Sequence, residues 1–339
     1  MRTRIRHPAA VLFFIVMFCM ACVTGAQTQP AVPQIVSDWW TICTSHDLGD
    51  QTSAKPVTAG IMGHGFLKGS GGAWQLLASV RGTATGSVLF EWEGSSLNQV
   101  NWQPKGVVME GGECENQHLE RVEHECLLSP FFIQQGETCT CFYGGQGPLQ
   151  AKHKTIMSSK QICMATSTNG EHFERCTTEH GFGMLFEGPG MNRDPMVLKI
   201  ADLYYCYYYS CIEMGKKGVI AVRTSRDLIH WSEHTIVKEN IYPVSWYDVA
   251  PTVVERDGYY YLFLSQRSQN IHLSKYSYDT HVFYSTNPLN FDMENNANHV
   301  STLPAASPEI IQEGDNWYIS TISDRTGIKL AKLEWEQME

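Results

Sequence analysis

Apolar and polar positions along this chain repeat one short pattern five times. A small or polar residue, often followed by Pro, opens an apolar run. A polar turn follows, then a burst of aromatic and β-branched residues. The five openings are Gly63-His64-Gly65-Phe66-Leu67, Ser129-Pro130-Phe131-Phe132-Ile133, Asp194-Pro195-Met196-Val197-Leu198, Ala250-Pro251-Thr252-Val253-Val254 and Ser307-Pro308-Glu309-Ile310-Ile311. From Gly65 through Pro130, Pro195, Pro251 and Pro308, the intervals are 65, 65, 56 and 57 residues. A near-constant period of this size marks a supersecondary unit that cannot bury its apolar face alone.

Each opening leads into a hairpin signal. Arg256-Asp257-Gly258 separates Thr252–Glu255 from Tyr259–Leu264, and Asp-Gly between two β-rich runs is a strong local hairpin cue. Glu313-Gly314-Asp315, Ala201-Asp202, Gln135-Gly136 and Gly69–Gly72 occupy the same place in the other units. A second phrase closes four units: Ser225-Arg226-Asp227-Leu228-Ile229-His230-Trp231, Ser167 to Phe173, Ser285 to Phe291, and Ser95 to Trp102. Asp or Asn after Ser predicts a side-chain-to-backbone turn that delivers an aromatic into the layer below.

Each unit therefore holds three or four short antiparallel strands. Open edges on five such units invite aggregation, and radial closure removes them. The expected fold is all-β: a five-bladed β-propeller around a central pocket, spanning residues 39–339 as one domain. The fifth unit is short, so Trp39-Trp40-Thr41-Ile42-Cys43 is expected to complete its blade. Residues 27–38 read as a flexible leader. The plentiful Gly, Tyr, Phe and Trp agree with an all-β chain, and 43% hydrophobic residues suffice for a large core.

Residues 1–26 read as an export signal. Arg2, Arg4 and Arg6 precede an apolar stretch from Ala9 to Val23, and Thr24-Gly25-Ala26 offers small residues for cleavage. The stretch is short for a membrane span. A secreted or periplasmic product is expected; Cys22 would make a lipoprotein, the one case in which a membrane enters as a partner. Loss of the three arginines takes the formal charge from −10 to −13, which disfavours nucleic acid and suits a neutral or cationic ligand, or simply solubility. Nine cysteines follow Ala26. Some are expected to pair in an oxidising compartment, while others, such as Cys139 and Cys141 on one strand face, serve equally as small buried hydrophobes. A monomer is expected.

Asn192-Arg193-Asp194-Pro195, the Ala250-Pro251 and Ser307-Pro308-Glu309 openings, the Asp257–Phe263 hairpin and the Ser225–Trp231 phrase together resemble the five-bladed glycoside hydrolases. These are the family 43 arabinanases and xylosidases, with family 32 fructosidases as relatives. The resemblance covers residues 39–335 and implies three carboxylates around the axis. Glycosidic cleavage needs a protonated acid at the leaving oxygen and an ionised carboxylate nearby, and a third carboxylate can tune the acid. By this resemblance Asp194 is the tuning or charge-stabilising group and Arg193 orients it. The acid is Asp248, one residue from the family position at Val249, or Glu309. The first-blade base falls at Gly63 or His64, where the family has Asp; His64 is the titratable candidate there, with Asp47 and Asp50 as upstream alternatives. Trp246, Tyr247, Trp40 and Trp39 are candidates for sugar stacking. No cofactor is implied, and no ligand spacing supports the calcium ion that such a tunnel can hold. The incomplete carboxylate set keeps a second reading open, a non-catalytic carbohydrate-binding propeller.

Overall fold

The computed structural model describes residues 29–51, 60–69, 71–83, 86–111, 113–116, 121–124, 127–146, 160–178, 183–188, 190–213, 217–239, 250–270 and 275–338. It begins with strands β1 (Ala31–Ile35) and β2 (Trp40–Thr44). Blade 1 follows as β3 (Gly60–Lys68), β4 (Trp74–Thr83), β5 (Gly86–Gly94) and β6 (Gln103–Glu110). A separate hairpin, β7 (Glu113–Asn116) and β8 (Arg121–His124), precedes blade 2. Blade 2 contains β9 (Leu128–Gln135), β10 (Thr138–Gln146), β11 (Lys160–Ser167), β12 (Glu174–Arg175) and β13 (Met184–Phe186). Blade 3 is β14 (Met191–Ile200), β15 (Leu203–Glu213), β16 (Lys217–Ser225) and β17 (Thr235–Lys238). Blade 4 is β18 (Pro251–Arg256), β19 (Tyr259–Asn270), β20 (Lys275–Ser285) and β21 (His299–Leu303). Blade 5 has β22 (Ile310–Glu313), β23 (Asn316–Ser323) and β24 (Gly327–Gln337).

The five sheets form a five-bladed β-propeller. The turn chemistry places the hairpins where the sequence signals them. Arg256 pairs with Tyr259 across Asp257-Gly258, whose φ angles are 51° and 81°. Positive φ at both central residues is the type I′ turn that matches strand twist. Ile200 likewise pairs with Leu203 across Ala201-Asp202.

The ring closes through both chain ends. β2 pairs with the first half of β24, as expected. Within the segment 27–38, read from the sequence as a flexible leader, Ala31–Ile35 instead forms β1 and pairs with the second half of β24. The Ala31 N–H donates to the Tyr261 hydroxyl at 2.7 Å and the Ser301 hydroxyl donates to the Pro33 carbonyl at 3.1 Å, so β1 is anchored on blade 4 as well. Its alternating small and apolar residues provide the reason: Ala31 and Pro33 turn inward while Gln34 stays exposed.

Apolar burial is divided among the five blade-to-blade layers. Period-two alternation sends successive residues of a strand into different layers. On β15, Tyr204, Cys206 and Tyr208 face blade 2, while Tyr207, Tyr209 and Cys211 face blade 4. On β10, Cys139, Cys141 and Tyr143 face blade 1, and Phe142 faces blade 3. The expected disulfides are not found at Cys43, Cys139, Cys141, Cys206 or Cys211, which are buried thiols inside these layers. Burial raises the pKa of Cys43, Cys139, Cys141 and Cys206, that of Cys139 to about 12.

The closing phrases act as latches. In blade 3 the Ser225 hydroxyl accepts the N–H groups of Asp227 and Leu228, and Asp227 Oδ1 accepts those of Ile229 and His230. The aromatic that ends the phrase then plugs a layer. Trp102, Phe173 and Phe291 are buried, and their N–H groups donate to Ile42, Val108 and Val237 carbonyls on the outer strand of the preceding blade. Gly94 makes room for Trp102, since a Cβ there would lie 2.4 Å from the indole. Trp102→Ala empties the layer between blades 5 and 1. It is expected to lower unfolding free energy by about 3–5 kcal/mol, measured by urea denaturation.

Candidate active site

The openings of the blades meet around the axis, and side chains stitch one to the next. The Ser129 hydroxyl of blade 2 donates to Asp194 Oδ1 of blade 3 at 2.6 Å. Gly63 of blade 1 lies against Ser129, so that a Cβ on Gly63 would be 2.5 Å from the Ser129 Cα. His64 Nε2 is 2.7 Å from the Ser320 hydroxyl of blade 5. That same hydroxyl oxygen accepts the Glu309 N–H at 2.8 Å. The Thr252 hydroxyl of blade 4 donates to the Pro308 carbonyl at 2.8 Å, and the Ser307 N–H donates back to the Ser265 hydroxyl.

The chain makes these contacts through irregular strand starts. Pairing slips by a residue at the openings of blades 1, 2 and 3. Ser129, Asp194 and Ser307, each immediately before Pro, have φ of 43°, 56° and 46°. A non-glycine residue in this left-handed region costs about 1–3 kcal/mol, and a following Pro restricts the backbone further. The interblade hydrogen bonds hold the strain, and the kink re-aims the side chain of the kinked residue.

Asp194 is buried, with Arg193 Nε 3.4 Å from its Oδ2. The Arg193 guanidinium lies 5.0 Å over the Tyr209 ring. An aromatic face beneath and a carboxylate beside it fix the plane of the cation. Arg193 and Asp194 are therefore placed side by side.

Glu309 is the second carboxyl at the openings. Solvent reaches part of its side chain, yet protein encloses it, and burial raises its pKa to about 8. It is a neutral acid at pH 7. His64 is different: burial lowers its pKa to about 3, its Nδ1 finds no hydrogen-bond partner among the described residues, and Phe66 packs edge-on at 5.6 Å. An imidazole that weakly basic does not hold a proton at neutral pH, which corrects its reading as a general base. Gly63 has no space for a carboxylate, because the backbone of Ser129 occupies it.

The remaining candidates separate from this cluster. Trp40 sits on the outer strand of blade 5, its ring nitrogen donating to the Leu97 carbonyl and its face packed in the layer with blade 1. Trp39 packs in the layer between blades 4 and 5. They serve blade packing, which corrects the stacking role for Trp40. Asp47 Oδ2 accepts the Thr44 N–H and closes its own turn. Asp248, Trp246, Tyr247 and the side chain of Asp50 lie outside the described residues. Sequence reasoning did not single out Ser129 and Ser320 as site residues. Ser129 could have been found from its place before Pro130, equivalent to Asp194 before Pro195; Ser320 lies mid-strand with no such signal. Asp324 and Arg325, on the β23–β24 turn, line a small cavity with Met62, Ala306 and Ser307 at the openings of blades 1 and 5.

The fold is shared with solved glycoside hydrolases. A thermostable family-43 glycoside hydrolase superposes with a TM-score of 0.57 at 16% identity, covering 85% of this chain and 94% of the other. A family 43 enzyme from Xanthomonas citri, complexed with xylotriose, gives 0.54 at 13% identity, covering 85% and 92%. The GH32 β-fructofuranosidase of Bombyx mori gives 0.55 at 14% identity, covering 86% of this chain and 63% of the other. No family model matches the sequence, and no curated protein matches it.

Gly63→Ala forces the backbones of blades 1 and 2 apart. We expect it to destabilise the protein by about 3 kcal/mol in urea titrations, whereas Gly71→Ala, with open space around its Cβ, changes little. Glu309 makes stability pH-dependent. Its folded-state pKa is above the ordinary 4.5, so its contribution is complete below pH 4.5 and is lost as pH rises through about 8. Unfolding free energy should fall across that window by up to about 1.4 kcal/mol per pH unit, and Glu309→Gln should flatten the slope.

Proposed function

We propose that this chain is an exported glycoside hydrolase acting on a neutral oligosaccharide at the axial end of its blades. Glu309 is the proton donor and Asp194 the ionised carboxylate. The observation that carries this reading is the place of Glu309, whose pKa burial raises to about 8, at the same ring of blade openings as Asp194. The fold likeness to family 43 and family 32 hydrolases supports it, as do the carbohydrates bound in some of those structures.

Glycoside cleavage develops negative charge on the leaving oxygen and positive charge on the sugar ring. Glu309 delivers its proton to the leaving oxygen. Asp194 offers negative charge to the ring, held in place by the Ser129 hydroxyl and by Arg193. Removal of residues 1–26 during export leaves the net charge near −13, compatible with an uncharged sugar.

A second reading rests on one specific observation. Gly63 leaves no room for a first-blade carboxylate, and a propeller lacking that group would bind sugar without cleaving it.

The experiment is hydrolysis of a glycoside panel by the mature chain. Glu309→Gln should lower kcat about 10²–10⁴-fold on natural linkages, and much less on aryl glycosides whose leaving groups need no proton. Parent activity should decline as pH rises through about 8. Saturable sugar binding with no hydrolysis of any substrate would establish the second reading instead.

A further inference from the structure

The outer rim of blade 4 carries a group of donors that neither the fold nor the axial site uses. His281 on β20 and Thr302 on β21 are directly paired across the two strands, and the slip after Val282 brings His299 beside them. His281 Nδ1 lies 3.2 Å from His299 Nε2, and the Thr302 hydroxyl lies 3.2 Å from each. Three donors thus form a triangle with equal edges. A tetrahedral ion bound at about 2.0–2.1 Å separates its ligands by about 3.3–3.4 Å. The triangle matches one face of that tetrahedron, and the face opens outward because His299 and Thr302 are exposed.

We propose that His281, His299 and Thr302 form a site for a divalent transition-metal ion such as Zn²⁺, with water completing the coordination. Neutral imidazole suits Zn²⁺, Ni²⁺ and Cu²⁺, so the donor set selects this class over Ca²⁺ and Mg²⁺. Among the described residues no three His, Cys, Asp or Glu side chains form such a group, and the third donor here is a hydroxyl.

The surroundings prepare the ligands. Phe283 packs edge-on against His299 with ring centroids 5.2 Å apart. Asp279, two residues before His281, contributes negative charge. The Lys238 ammonium opposes a cation but is itself held by Asp292 and Asn296. A bound ion would clamp the outermost strand of blade 4 to its neighbour.

The test is calorimetric titration of chelator-treated mature chain with Zn²⁺. A saturable event with one ion per chain and a micromolar dissociation constant is expected. His281→Ala and His299→Ala should each weaken it at least about tenfold, with unchanged far-ultraviolet circular dichroism reporting an intact fold. His230→Ala, removing an exposed imidazole paired with Asp227 on blade 3, should leave it unaltered. Co²⁺ titration should give a visible absorption band in the parent that both variants lose. Equal Zn²⁺ affinity in the parent and both variants, or no saturable binding by the parent, would overturn the proposal.

Discussion

The contact between one blade and the next organises this protein. No blade has a core of its own. Each sheet presents apolar side chains to both neighbours, so its burial depends on their presence. The hydrogen bond from a buried aromatic residue to the preceding outer strand recurs at Trp102, Phe173 and Phe291. It combines the two requirements of a β-layer. The ring fills the space between sheets, and the backbone donor finds its acceptor in the same step. Blades joined in this way have a defined rotation about the axis, and that rotation aims their openings.

The candidate site follows from the same constraint. Left-handed residues before proline kink the strand starts at Ser129, Asp194 and Ser307, and the kinks bring polar atoms of neighbouring blades into hydrogen-bond range. Close approach also excludes chemistry. Blades 1 and 2 meet so tightly at Gly63 that only hydrogen fits there. The difference from the family 43 pattern at this position is a packing solution, with Ser129 filling the space beside Gly63 and its hydroxyl donating to Asp194. Enclosure then separates the titrating groups. His64 becomes a poor base and Glu309 a weak acid, because burial disfavours the charged form of each.

Much of the fold was legible in the chain because it is local and repeated. Asp257-Gly258 dictates a tight turn wherever it lies between two β-rich runs, and the Ser225–Trp231 phrase folds largely upon itself. The closing role of Trp40–Cys43 was readable from the shortness of the fifth unit. β1 was not, because Ala31–Ile35 has few strong strand formers and takes its order from β24 and Tyr261. In the site, Arg193-Asp194-Pro195 was legible as a motif. The weak basicity of His64 was not, since it arises from enclosure by Phe66 and a distant strand carrying Ser320. Trp40 shows the converse limit: an aromatic reads alike whether it faces a ligand or a neighbouring sheet.

Pairing of Ala31 with Gln337 and of Thr44 with Gly327 has a consequence for how the protein is made. The fifth sheet draws its outer strands, β1 and β2, from the segment before blade 1 and its inner strands, β22 to β24, from the segment after blade 4. Until β24 is in place, β1 and β2 have no partner and the toroid stays open, with two apolar faces uncovered. Such distant pairings are slow to form because the intervening loop must close first. The toroid therefore acquires its final shape in a single late event, when β24 joins the two halves of the fifth sheet.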